Sequence, residues 1–259
     1  MQIITLTTDF GARDWFVGVM KGVILGINPR AEVVDLTHEI APGDIRGGAF
    51  ALSVACRFFP KGTLHVAVVD PGVGSDRPAL AVRTADYGFV GPDNGVLSFA
   101  LQGQKIRAIH RLENTQFFLK PVSRTFHGRD IFAPVAGHLS RGVPIHRFGP
   151  RQKELIRLKW PQSRTASGGR IEGEVVYLDR FGNAITNVEN ASLKPAVLYE
   201  VFAGRRRLCP VGAFYGSVRR GAAVAVPGST GFLEIAVHGS SAACELGLTV
   251  GSKVSVTPV

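Results

Sequence analysis

The alternation of strand and helix patterns up to Val69 constrains this chain more than any other feature. Ile3 to Thr7 reads as a short buried strand, and Asp14 then caps a helix from Trp15 to Ile27. That helix places Phe16, Val19, Val23 and Ile27 at helical spacing, and Asn28-Pro29 stops it. Ala31 to Leu36 is a second strand. Gly43-Asp44 opens a second helix reaching about Arg57, with Ile45, Ala49, Leu52 and Cys56 on one face, and Thr63 to Val69 is a third strand. Strand, helix, strand, helix, strand is the order of a mainly parallel sheet with helices on its faces. In such a sheet ligands bind beyond the carboxyl ends of the strands.

At that edge the third strand delivers Asp70, followed by Pro71-Gly72-Val73-Gly74-Ser75-Asp76-Arg77. Alone, this is an ordinary turn with a solvated arginine. Ala79 to Arg83 and Gly88 to Gly91 read as paired strands around a turn at Ala85-Asp86. Pro92-Asp93-Asn94-Gly95 is a turn into a short helix from Val96 to about Leu101, and Lys105 to His110 is a further strand. Thr125-Phe126-His127-Gly128-Arg129-Asp130 opens a helix from Ile131 to about Ser140. Residues 147–170 are basic and rich in Pro, Gly, Ser and Gln, which reads as connector.

From Ile171 the pattern changes to short β-prone runs separated by glycine: Gly173 to Leu178, Ala196 to Phe202, Ala222 to Val226, Phe232 to Val237 and Lys253 to Val256. A small β-barrel or sandwich closes such runs. The expected architecture is therefore α/β: a domain over 1–160 with a mainly parallel sheet flanked by helices, then a smaller β-barrel-like domain over 161–259.

Composition narrows the function classes. Hydrophobic residues at 45% supply a core, and charged residues at 19% argue against disorder. No apolar run is long enough to cross a bilayer, and the N-terminus lacks the basic start of a signal peptide. Cys56, Cys209 and Cys244 are widely spaced, with no CxxC, and suit buried thiols in a reducing cytoplasm. The net charge of +10 invites a nucleic-acid reading, but the arginines are scattered. The densest run, Arg205-Arg206-Arg207, has no interleaved aromatics to stack on bases.

Three polar clusters stand at element ends in the first domain: Asp9, Asp70 with Arg77, and His127. Each has a plain alternative, an Asx turn for Asp9 and a helix cap or carbonyl partner for His127. Together, a carboxylate, a guanidinium and an imidazole beyond one sheet edge form a device for activating water. HxH, HExxH and DxD metal spacings are missing, and Arg77 would repel a cation. GxGxxG, Walker and GxSxG motifs are missing as well. In the second domain, Asp179-Arg180-Phe181-Gly182-Asn183 ends a strand with an acid, a ring and an amide, suited to an ammonium and a heterocycle. Its alternative is a hairpin whose side chains cap their own backbone. Gly228-Ser229-Thr230-Gly231 is a turn into the strand ending at Val237.

Thr8-Asp9-Phe10-Gly11, Val69 to Gly74, Val90 to Gly95, Thr125 to Pro134 and Asp179 to Asn183 resemble, in this order, the motifs of the S-adenosyl-L-methionine hydrolases. These are also called SAM hydroxide adenosyltransferases and are related to the fluorinase and chlorinase. The resemblance implies attack of water on the ribose 5′ carbon, giving adenosine and L-methionine. It implies Asp70 and His127 orienting and polarising the water, and Arg77 stabilising hydroxide character. It also implies Asp9 on the ribose hydroxyls, Asp179 on the methionine ammonium, and Ser229 with Thr230 at the methionyl end. Phe181 and Asn183 would contact the adenine, with the backbone from Val237 to Gly239 at its edge. A homotrimer with sites at subunit interfaces, no metal and no cofactor besides the substrate are implied too. In the halogenases the Asp-Arg-His set is not kept and a loop follows the strand after the arginine. Here all three residues are present, and Arg83 to Tyr87 is a short turn. Gly228 and His238 stand where the family has asparagine. An adenosine- or nucleic-acid-binding module without turnover is the alternative from another class.

Overall fold

The computed structural model describes residues 2–259 and divides into two compact units, 1–158 and 159–259. No helix among the described residues is long and apolar enough to cross a membrane.

The first unit is built on a six-stranded sheet. Its strands are β1 (Gln2–Thr8), β2 (Ala31–Thr37), β3 (Leu64–Val68), β4 (Ala79–Thr84), β5 (Gly88–Pro92) and β6 (Ile106–Arg111), in the order β2-β1-β3-β5-β4-β6. β1 pairs in parallel with β2 and β3, and β3 in parallel with β5, while β4 runs antiparallel to both β5 and β6. The start of β4 therefore lies at the edge where β1 and β3 end. β4 and β5 are joined by a tight turn in which the Thr84 N–H donates to the Tyr87 carbonyl at 2.9 Å.

Helices α1 (Phe16–Ile27), α2 (Ile45–Cys56) and α3 (Ala133–Ser140) cover the sheet. Ile4, Leu6, Val66 and Val68 pack with Met20 and Ile24 of α1 and Val135 of α3 in one core. Ala67, Val69 and Phe89 pack with Leu52 and Cys56 of α2 in another. The sheet is thus covered on both faces, as parallel strands buried on both sides require.

Local details differ from the sequence expectations. Asp14 does not cap α1: Trp15 occupies the cap position, without a side-chain cap bond. The buried stripe of α1 runs along Val17, Met20 and Ile24, while Phe16, Val19, Val23 and Ile27 flank it. The apolar face is wide enough for both sets, and the helix buries its centre. α2 behaves as expected, with the Asp44 side chain accepting the Gly47 N–H at 2.9 Å. Val96 to Leu101 forms successive turns rather than a helix, because only Leu101 closes an i→i−4 bond, onto Leu97.

The second unit is an antiparallel sheet of β7 (Arg164–Thr165), β8 (Ile171–Leu178), β9 (Ala184–Glu189), β10 (Tyr199–Ala203), β11 (Arg206–Pro210), β12 (Ala223–Pro227), β13 (Phe232–Val237) and β14 (Lys253–Pro258). Its order is β11-β10-β14-β8-β9-β13-β12, with β7 on β8. A bridge between Val211 and Ala225 brings the two ends together, so the sheet curls into a nearly closed barrel. Val175, Val201, Leu233, Ile235 and Val256 fill it.

The short α4 (Ala242–Leu246) follows β13, capped by the Ser241 hydroxyl. Ala196 is not part of a strand, since its φ of 63° places it in a turn before β10. The basic run 205–207 forms the β10–β11 hairpin, where Arg207 pairs with Glu200 at 2.6 Å. Cys56 and Cys209 are buried as expected, but Cys244 is exposed on α4.

Candidate functional site

Asp70 follows β3 and Arg77 precedes β4, so both reach the carboxyl edge of the sheet. Arg77 Nε donates to Oδ1 and Oδ2 of Asp70, each at 2.9 Å, and Nη2 donates to Oδ2 at 2.5 Å. The Asp70 side chain is 4% exposed and that of Arg77 11%, so the pair is screened little by solvent. The guanidinium lies 5.3 Å from the Phe132 ring centroid, a cation–π contact that fixes its plane. Nη1 makes only a long 3.5 Å contact to the Pro78 carbonyl, which leaves donor capacity at this nitrogen.

His127 completes the group. Its Nδ1 lies 2.9 Å from Arg77 Nη2. A guanidinium only donates, so Nδ1 is the acceptor and a neutral ring carries its proton on Nε2. Burial and the adjacent Arg77 charge hold the imidazole pKa below its ordinary value, against the opposing fields of Asp70 and Asp130 and a bond to the Ser123 backbone. His127 does not cap the helix that follows, which begins with a single π-type turn at Gly128–Phe132. Asp130 anchors this loop: fully buried, it accepts the Ser123 N–H at 2.8 Å and Arg129 Nε at 2.6 Å.

Gly74 joins the two loops. Its φ is +78°, and a Cβ there would lie 2.3 Å from the Arg124 carbonyl oxygen. The close approach at Gly74 is thus to the loop that carries His127.

Asp9 follows β1 at the same edge. The Asx turn open to it is not formed, since the Gly11 N–H donates to the His38 carbonyl at 2.8 Å. Asp9 Oδ2 instead accepts the Gly43 N–H at 2.8 Å. The motif at Asp93-Asn94 is architectural. Asp93 accepts the Ile156 N–H at 2.7 Å, and Asn94 Nδ2 donates to the Val69 carbonyl at 2.8 Å, holding the chain just before Asp70.

The second unit carries an open pocket of about 820 Å³. Asp179, Phe181, Asn183, Ser229, Thr230, Val237 and Gly239 all line it. Asp179 also makes the hairpin cap that was its alternative reading. Its Oδ1 accepts the N–H groups of Phe181 and Asn183 at 2.9 and 2.8 Å, and Oδ2 accepts Asn183 Nδ2 at 3.0 Å. Capping holds Asn183 and swings the Phe181 ring outward, where it is 79% exposed. His238 lines the pocket with Nδ1 held 2.9 Å from the Val218 carbonyl. Gly228 is forced: a Cβ would lie 2.7 Å from the Phe232 carbonyl oxygen and 3.1 Å from Glu234 Oε2.

Two lining residues, Tyr215 and Glu234, were not singled out from sequence. Glu234 had a signal, a lone acid in an apolar strand; Tyr215 had none. Among the described residues no group of three or more His, Cys, Asp or Glu side chains is placed to hold a metal ion.

Comparison with known proteins adds to this geometry. Residues 4–149 match the model of the SAM hydroxide adenosyltransferase N-terminal domain, and residues 173–255 that of the C-terminal domain. An (R)-S-adenosyl-L-methionine hydrolase of Salinispora tropica is 40% identical, over 98% of this chain and 97% of that one. A fluorinase of Actinoplanes sp. is 27% identical over 98% and 97%. The crystal structure of a conserved protein of Thermotoga maritima superposes with a TM-score of 0.90 at 37% identity, covering 99% of this chain and all of that one. With both halves matched in order, the chain belongs to the SAM hydroxide adenosyltransferase family.

Proposed function

We propose that this protein hydrolyses S-adenosyl-L-methionine, with water or hydroxide attacking the ribose 5′ carbon to release adenosine and L-methionine. The observation that carries the reading is the closed group of Asp70, Arg77 and His127 at the carboxyl edge of the sheet. The leaving group departs as a neutral thioether and needs no proton. The protein's task is therefore to align a water molecule with the carbon–sulfur bond and favour its hydroxide form. Arg77 offers the remaining N–H capacity at Nη1 to the developing negative oxygen. Asp70 holds the guanidinium plane, and with the neutral imidazole of His127 it orients and polarises the water.

Asp9, tied to Gly43, would take the ribose hydroxyls. In the second unit Phe181 and Asn183 would take the adenine, the backbone from Val237 to Gly239 its edge, and Asp179 with Ser229 and Thr230 the methionyl end. Each unit holds half of the groups the reaction needs. The reading is completed by a homotrimer in which the C-terminal pocket of one subunit serves the Asp70 edge of its neighbour. Water and the substrate suffice, without a cofactor. The short Arg83 to Tyr87 turn, with no inserted loop, favours water over halide as nucleophile.

The test is turnover in oxygen-18 water with mass spectrometry of the products. Label in the 5′ hydroxyl of adenosine is expected. Unlabelled adenosine, or no consumption of S-adenosyl-L-methionine, overturns the reading.

A further inference from the structure

Asp9 stands on a short segment between β1 and α1 that the loop between β2 and α2 grips at several points. Gly43 of that loop binds the Asp9 carboxylate itself. Further contacts come from His38, the residue just after β2, which no step of the proposed reaction uses. Its carbonyl accepts the Gly11 N–H at 2.8 Å, and its Nδ1 lies 2.8 Å from Thr8 Oγ1. Thr8 Oγ1 in turn accepts the Phe10 N–H at 3.2 Å. His38 therefore reaches residues 8, 10 and 11, on both sides of Asp9, partly through one hydroxyl.

The Phe10 N–H already donates to the Thr8 oxygen, so the hydroxyl proton goes to Nδ1 and the ring proton sits on Nε2. Nε2 faces Asp35, 3.0 Å from Oδ1, within ion-pair reach though off the line of a hydrogen bond. Asp35 Oδ2 accepts Lys21 Nζ of α1 at 2.6 Å. His38 is only 7% exposed and Thr8 fully buried, so solvent does not compete for these contacts. A carboxylate, an imidazole and a hydroxyl in line would make an acyl-transfer device if the hydroxyl met a substrate. Thr8 meets none, because it is buried and its oxygen is committed to the chain. The line therefore holds backbone rather than attacking anything.

We propose that His38 is a positioning residue: through Thr8 and the Gly11 N–H it fixes the segment that presents the Asp9 carboxylate to the ribose hydroxyls. The inference rests on the role given to Asp9 under Proposed function and goes beyond it in naming what aims that acid. The readout is a ratio measured on the full-length protein, the Kd of 2′,3′-dideoxyadenosine over that of adenosine. In the wild type it should be roughly tenfold or more, as for loss of bonds to a carboxylate. His38→Ala should weaken adenosine and spare the dideoxy compound, bringing the ratio within about threefold of one. Thr8→Val, which keeps the shape and removes the hydroxyl, should lower the ratio in the same direction and serves if His38→Ala does not fold.

A group that acts through Asp9 adds nothing once Asp9 is disabled. Asp9→Asn combined with His38→Ala should therefore bind adenosine within about twofold of Asp9→Asn alone, whereas independent effects would multiply. An unchanged ratio in the His38 and Thr8 variants overturns the proposal. Equal losses for both nucleosides, or multiplying losses in the double variant, also overturn it, because His38 would then merely support the fold. A wild-type ratio near one, or a ratio that Asp9→Asn leaves intact, overturns the ribose role of Asp9 and the proposal with it. Failure of the hydrolase reading is seen separately, as wild-type protein that binds S-adenosyl-L-methionine without consuming it, and the nucleoside ratios still judge His38 in that case.

Discussion

Arg77 Nε lies 2.9 Å from both carboxylate oxygens of Asp70, so one nitrogen straddles the acid while Nη2 turns on to His127. A point charge cannot make that three-way arrangement. Arg77→Lys keeps the charge but loses the planar fork, and should lower kcat on the order of 100-fold with the fold intact. Steady-state turnover alongside circular dichroism checks it; activity near wild type would show that charge alone is enough.

Asp70→Asn leaves Arg77 buried without its counter-ion. Turnover should fall on the order of 100-fold or more. Stability should drop by about 3 kcal/mol, as for one partner removed from a buried pair. Chemical denaturation reads the second effect independently of the first.

The pH profile follows from His127. Burial, and then the Arg77 charge, hold its pKa below the ordinary histidine value of 6.5, so the imidazole takes up its proton at a lower pH than a free histidine does. The acid limb of kcat should therefore lie below 6.5, and His127→Gln should lower the plateau and remove that limb. An acid limb above 6.5 would contradict the role given to the neutral ring.

Stability carries a second histidine signature. His65 is fully buried among Phe59, Tyr87 and Phe89, and desolvation pushes its pKa down from 6.5 to about 4. The unfolded chain thus binds a proton that the folded chain refuses. The stability it contributes is complete above pH 6.5 and is lost progressively as the pH falls toward 4. The loss amounts to about 3 kcal/mol over that window. Urea titrations of wild type and His65→Gln from neutral to acid should diverge there, the variant having the flatter profile.

Gly74→Ala places a methyl on the Arg124 carbonyl and forces a left-handed φ on an L side chain. It should destabilise by about 2 kcal/mol and reduce turnover, because the loop it displaces bears His127. Differential scanning calorimetry and a turnover assay together test the link between the two loops.

The first unit was legible because each strand and helix carries its own punctuation. Asp44 caps α2 and Asn28-Pro29 ends α1, and both signals are local. Asp14 misled because a capping residue type does not require a capping conformation; Trp15 holds the position with helical dihedrals. The Val96 to Leu101 turns misled because their apolar spacing matches a helix, although the segment is shaped by burial of Leu97 and Leu101. Asp70, Arg77 and His127 were legible as chemistry at element ends, and the topology brings them into contact. The Tyr215–Glu234 pair was not, because it joins a loop to a strand nineteen residues away, and no local pattern announces a phenol that folds back over an acid.

The direction of β4 has a consequence for how the Asp70–Arg77 pair comes about. A parallel neighbour would have required a crossover helix between the acid and the guanidinium. The reversed strand returns the chain to the same edge within seven residues. Closing so short a loop sacrifices little chain entropy, so the Asp70–Arg77 contact belongs to the fast, short-range events of folding rather than to final assembly. The pair is in that sense a cassette. Circular permutation with new termini elsewhere in the chain should carry it along whole, whereas lengthening the stretch between Asp70 and Arg77 should loosen it first.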